Sequence, residues 1–100
     1  MVGLEIQVLL PKEKRHEFLQ AFELLSAKQG RSSACIGQSL YEDAGEGGRF
    51  LWIEWWSGLK ALEDYMKSNQ FRSILGAIKV LGKLKNLHLV EFRKAPDQSS

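Results

Sequence analysis

The sequence predicts an α+β fold of the split βαββαβ type, with a four-stranded antiparallel sheet carrying its helices on one face. Three observations predict it. Short segments of strand character recur at residues 4–10, 33–42, 50–56 and 84–93. Segments with helical spacing of apolar residues separate the first two and the last two. A glycine-rich turn, Asp43-Ala44-Gly45-Glu46-Gly47-Gly48, joins the middle pair into a hairpin.

Residues 4–10, LEIQVLL, alternate and then become continuously apolar up to Pro11, which suits a strand that the proline ends. From about Lys12 the pattern turns helical. Phe18, Phe22 and Leu25 recur at i, i+4 and i+7, while Lys14, Arg15, Glu17 and Glu23 take the wet side. Gly30 is the expected stop, since glycine enters the left-handed conformation without strain. Residues 33–42, SACIGQSLYE, form the second strand and FLWIEWW, 50–56, the third. Ser57 is the expected cap of a helix with Leu59, Leu62 and Met66 on one stripe and Tyr65 beside it. Asn69 is the expected cap of the next, which buries Phe71, Ile74, Leu75 and Ile78 before Gly82 ends it. Residues 84–93 return to strand. The order is that of a ferredoxin-like domain.

The third strand holds all three tryptophans and one carboxylate. Phe50, Trp52, Glu54 and Trp56 share one face and Leu51, Ile53 and Trp55 the other, so apolar bulk points both ways. Helices can cover one face. The other would expose more aromatic area than a monomer tolerates, which implies a partner.

A chain of 100 residues supports one domain, expected over 1–94, followed by a flexible tail over 95–100. Hydrophobic residues at 44% and charged residues at 26% are globular composition, and a net charge of +2 gives little support to a nucleic-acid or membrane partner. The lone Cys35 allows no internal disulfide and suits a reducing, cytoplasmic location. MVGLEIQVLL lacks the basic lead-in of a signal peptide, and no run reaches transmembrane length.

The stretch from Glu54 to Phe71, EWWSGLKALEDYMKSNQF, resembles the antibiotic biosynthesis monooxygenase domain of the dimeric α/β-barrel superfamily. In that family the third strand often ends in E-x-W and runs into x-x-A-L-x-x-H-x-x-S-x-x-F. Glu54 and Trp56 match the first part, and Ala61, Leu62, Ser68 and Phe71 the second. The resemblance implies a homodimer whose two sheets face each other across a barrel. It also implies cofactor-independent monooxygenation of a small aromatic or quinol-type substrate by molecular oxygen. Tyr65 stands where the family often has histidine. Leu75 stands near the histidine that ligates iron in the haem-degrading branch, so haem degradation is not expected.

Glu54, set between tryptophans, must be paired, exposed at a rim, or raised in pKa, and the last case makes it a proton acceptor. His88 is the other candidate for moving a proton, and it meets Glu5 or Gln7 if strands one and four share a register. Trp56 and Tyr65 are candidate walls for a flat aromatic ring, with Gln7, Tyr41 and Gln38 as weaker substrate contacts. No metal-ligand spacing stands out, and Gly45–Gly48 opens no helix that could cradle a phosphate.

Two other readings use the same residues. A non-catalytic dimeric barrel would bind a small ligand or serve structure alone. An RNA-recognition motif shares the element order, but Leu51 stands at its small-residue position and Arg49 at its glycine.

Overall fold

The structure, a computed structural model, describes residues 1–29 and 34–91. The chain runs β1 (Val2–Leu9), a 3₁₀ turn (Lys12–Lys14), α1 (Arg15–Gln29), β2 (Cys35–Glu42), β3 (Arg49–Trp56), α2 (Leu59–Met66), α3 (Asn69–Leu81) and β4 (Lys83–Glu91). The strands form one sheet in the order β2-β3-β1-β4, with every neighbouring pair antiparallel. This is the ferredoxin-like α+β arrangement expected from the element order. Gly30 and residues 92–100, with the expected tail, lie outside the described residues.

Alternation sorts the central strands into two surfaces. Leu4, Ile6 and Val8 of β1 and Phe50, Trp52 and Trp56 of β3 are buried with Phe18 of α1, Leu62 and Tyr65 of α2, and Phe71, Ile74 and Ile78 of α3. That is the core. The opposite sheet face carries Glu5 and Gln7 of β1, Ile53 and Leu51 opposite them on β3, and His88 and Asn86 opposite them on β4. Ser39 and Tyr41 of β2 pair with Ile53 and Leu51, which extends the same rows to the far edge.

Both edge strands carry an irregularity. Ile36 is extra between the Cys35–Trp56 and Gly37–Trp55 pairs, and Lys85 is extra between Asn86–Gln7 and Leu84–Val8. Such bulges twist an edge and interrupt its use as a template for further strands.

The turn between β2 and β3 is held by Asp43, whose Oδ1 accepts from the backbone N–H groups of Gly45 and Glu46 at 2.8 and 3.1 Å. Gly48 closes it with φ of 86°, and a Cβ there would lie 2.5 Å from the Leu10 carbonyl oxygen. Only glycine satisfies both conditions. Gly82 ends α3 as expected, its N–H donating to the Ile78 carbonyl at 2.8 Å.

Both helix caps fall one residue from their expected places. The cap of α2 is Gly58, with no side-chain hydrogen bond, and Ser57 lies outside it. The cap of α3 is Ser68, whose hydroxyl accepts from Phe71 N–H at 3.2 Å and donates to the Tyr65 carbonyl at 2.6 Å. Ser68 therefore ties the end of α2 to the start of α3.

Candidate functional site

Glu54 is wholly enclosed, with 0% of its surface exposed. Its place follows from strand geometry: Trp52 and Trp56, two residues away on either side, point in the same direction beneath the helices. The two indoles supply hydrogen-bond donors. Trp52 Nε1 donates to Oε2 at 3.1 Å and Trp56 Nε1 to Oε1 at 3.4 Å. A third donor comes from α2, where the Tyr65 hydroxyl reaches Oε2 at 3.1 Å.

Around this carboxylate the aromatic rings close in from both sides. Trp56 and Tyr65 stack with centroids 4.5 Å apart and planes 28° apart, and Phe71 meets Tyr65 at 5.2 Å and 60°. On the α1 side, Phe22 presents an edge to Trp52 at 4.8 Å and Phe18 another at 6.2 Å. No Lys, Arg or His among the described residues forms an ion pair with Glu54.

Burial raises the Glu54 pKa above the ordinary carboxylate value, while the bonds from Trp56, Tyr65 and Trp52 oppose the rise. The Tyr65 phenol is also pushed up, first by burial and then by the neighbouring Glu54 charge. Tyr65 therefore stays protonated near neutral pH. An indole N–H can only donate, so a proton arriving on Glu54 finds one acceptor among its three partners, the Tyr65 oxygen.

Gln38 of β2 stands directly opposite Glu54 on the same sheet face. Its Nε2 donates to the Ser26 carbonyl of α1 at 2.8 Å, and its buried Oε1 meets no donor among the described residues.

His88 does not join this cluster. It lies on the open sheet face, where its Nε2 is 2.8 Å from Glu5 Oε1, so the expected meeting of strands one and four occurs through Glu5 and not Gln7. A pocket walled jointly by Trp56, Tyr65 and His88 is not formed, because the sheet separates His88 from the other two. Gln7 and Tyr41 also lie on the open face. With Arg49 and Leu51 they line a shallow cleft of about 310 Å³ at the hairpin end.

The expected site residues thus divide into two sets: Glu54, Trp56 and Tyr65 beneath the helices, and His88, Gln7 and Tyr41 on the open face. Sequence reasoning passed over Trp52 as a site residue, although its position two residues before Glu54 was signal enough. Among the described residues no group of three or more His, Cys, Asp or Glu side chains is placed to hold a metal ion. No helix among them is long and apolar enough to cross a membrane.

Fold and site together define a ferredoxin-like α+β domain with a carboxylate sealed between its sheet and its helices. Residues 1–76 match the family model of the antibiotic biosynthesis monooxygenases, and the chain belongs to that family. Among solved structures, it is similar to a candidate antibiotic biosynthesis monooxygenase from Deinococcus radiodurans, with a TM-score of 0.83 and 21% identity over 95% of each chain. It is also similar to a variant of SnoaB, a cofactor-independent oxygenase from Streptomyces nogalater, with a TM-score of 0.82 and 16% identity over 95% of each chain. A Bacteroides thetaiotaomicron protein described as a possible oxidoreductase has a TM-score of 0.80 and 23% identity, over 91% of this chain and 96% of that one. At these identities the likeness establishes the fold. No curated protein matches the sequence.

Proposed function

We propose that this protein is a cofactor-independent monooxygenase acting on a small phenolic or quinol-type aromatic with molecular oxygen. The observation that carries this reading is the buried Glu54 carboxylate, held by three donors with no ion-paired cation among the described residues. Such a group binds a proton more readily than an exposed carboxylate, which suits it to accept one from a weakly acidic hydroxyl. Family membership and the description of SnoaB as a cofactor-independent oxygenase support the reaction class.

The substrate ring slips between Trp56 and Tyr65, opening their stack by one ring's thickness, and its hydroxyl takes the place of the Tyr65 hydroxyl on Glu54. The element that must move is α2. Its two buried side chains are Leu62 and Tyr65, and it begins at Gly58 without a side-chain cap, so its N-terminal end is the part least held.

Once Glu54 accepts the hydroxyl proton, the phenolate is electron-rich enough to reduce oxygen. A hydrogen-bearing ring carbon opposite or adjacent to the hydroxyl bonds to O₂, and the proton on Glu54 returns to the peroxide. Loss of the carbon-bound proton then expels hydroxide as the O–O bond breaks, which leaves a quinone carbonyl and water. All four electrons come from the ring.

The proposal extends to a homodimer, in which a second copy covers the open face around Leu51, Ile53, Trp55 and Tyr41 and encloses the His88–Glu5 pair. A cytoplasmic location, suited to the single cysteine, belongs to it as well. Light scattering should then give about twice the 11.4 kDa of the chain.

An oxygen electrode tests the chemistry directly with a panel of phenols and hydroquinones. Substrate-dependent uptake that falls by roughly 10²–10⁴ in Glu54→Gln is expected, the range of a general base. Equal turnover in the variant would remove Glu54 from the mechanism. One observation favours a non-catalytic barrel instead: the protein's own rings fill the space over Glu54. Absence of uptake with every phenol would favour that reading.

A further inference from the structure

We propose that Gln38 is a specificity-determining contact, its Oε1 accepting a hydrogen bond from a second hydroxyl on the aromatic ring whose first hydroxyl meets Glu54. The inference rests on the reading above and narrows its substrate class to rings carrying two hydroxyls on one edge.

The argument begins with the amide's orientation. Nε2 donates to the Ser26 carbonyl at 2.8 Å, and turning the amide over would set oxygen against oxygen there. The Ser26 carbonyl thereby decides which Gln38 atom is left over. That atom is Oε1, an acceptor, and it is buried without a partner among the described residues. Buried acceptors are nearly always satisfied, so one left open beneath the helices signals a donor supplied from outside the chain.

Its position gives the donor a context. Gln38 pairs across the strands with Glu54, and such residues have Cβ atoms roughly 4.5–5.5 Å apart on one face. The two side chains have the same length. A flat ring that reaches Glu54 from the stack of Trp56 and Tyr65 comes up to a cross-strand pair of acceptor residues, one anionic and one neutral. Hydroxyls in 1,2 or 1,3 relation address both from one edge of the ring. Hydroxyls in 1,4 relation lie on opposite edges and address only one.

The site also discriminates by chemistry. A methyl ether in place of the second hydroxyl leaves Oε1 unpaired, and a site built to hydrogen-bond a hydroxyl rejects an analogue lacking it. The fully enclosed carboxylate takes the hydroxyl that loses its proton, and the amide takes the one that keeps it.

The test is an equilibrium titration followed by tryptophan fluorescence, using resorcinol, its monomethyl ether and hydroquinone, with wild-type protein and Gln38→Met. Wild-type protein should bind resorcinol about tenfold tighter than the monomethyl ether, the scale of one hydrogen bond. It should also prefer resorcinol to hydroquinone. In Gln38→Met both preferences should vanish while the ether's affinity stays the same. Wild-type protein that binds resorcinol and its ether equally overturns the inference without any variant. Preferences that persist in Gln38→Met overturn it too, and assign Oε1 to a bound water. If single-hydroxyl phenols still drive oxygen uptake in either case, the function proposed above stands alone. If no phenol binds or reacts, both fall together.

Discussion

The Tyr65 hydroxyl lies 3.1 Å from Glu54 Oε2, and of the carboxylate's three partners it alone can accept as well as donate a hydrogen bond. When Glu54 is ionised the bond runs from phenol to carboxylate. When Glu54 is protonated it can reverse. The pair can therefore hold either a charge or a proton with no ion-paired cation among the described residues.

This relationship gives Glu54 a signature in stability. Its pKa is raised by burial in the folded chain, while the unfolded chain ionises near the ordinary value of 4.5. Below that value both states are protonated and the stabilising contribution is fully present; as pH climbs through the folded value it is lost. Urea unfolding of wild type and Glu54→Gln across this range should show the wild type losing ground to the variant as pH rises. A difference that stays constant with pH would remove the buried titrating carboxylate from the account.

Tyr65→Phe keeps the ring against Trp56 and removes one donor from the carboxylate. The expected cost is about 1–3 kcal/mol, the range for leaving a buried polar group short of a partner. Loss of that bond also raises the Glu54 pKa further, so the pH-dependent decline should begin at the same pH and extend to a higher one. A melting temperature and pH profile both equal to wild type would show that the hydroxyl contact contributes nothing.

The two serines flanking α2 differ in role, Ser68 capping α3 and Ser57 lying outside α2. Ser68→Ala removes the acceptor of the Phe71 N–H and should cost about 1 kcal/mol. Ser57→Ala lies outside both helices and should change stability by less than about 0.5 kcal/mol. Chemical denaturation of the two variants decides the matter, and a reversed order would return the cap of α2 to Ser57.

Gly48→Ala meets two obstacles, a positive φ and the Leu10 carbonyl 2.5 Å from the new Cβ. Together they should cost about 2 kcal/mol or more, near the upper range for strained backbone. Thermal unfolding measures it. An unchanged midpoint would mean that the hairpin shifts freely away from β1.

His88→Ala should leave proton transfer at Glu54 intact, because the sheet stands between them, while altering the face proposed to meet a second copy. Oxygen uptake and light scattering on the same preparation separate the two effects. A collapse of turnover in a protein of unchanged mass would place His88 in the chemistry after all.

Much of this was legible in the chain. Strand alternation and helical spacing are local properties, and FLWIEWW announced by parity alone which residues share the face of Glu54. The family resemblance rested on the same stretch, and residues 1–76 carry it. Cap positions were less legible, since adjacent Ser57, Gly58, Ser68 and Asn69 all suit the role and the choice depends on where the chain turns in space.

What the sequence by itself determined was the order of elements, the two-sided apolar character of β3 and the presence of a carboxylate among its tryptophans. Tertiary structure alone decided which residues meet. Whether His88 faces the helices or the open sheet turns on a strand register that one residue's slip would invert, and the pairing of Glu5 with His88 settles it. The third donor to Glu54 arrives from α2, and the acceptor left open on Gln38 results from a bond to α1, twelve residues earlier. Hydrogen-bond satisfaction in a buried space depends on every element that borders it, and sequence order carries no such geometry.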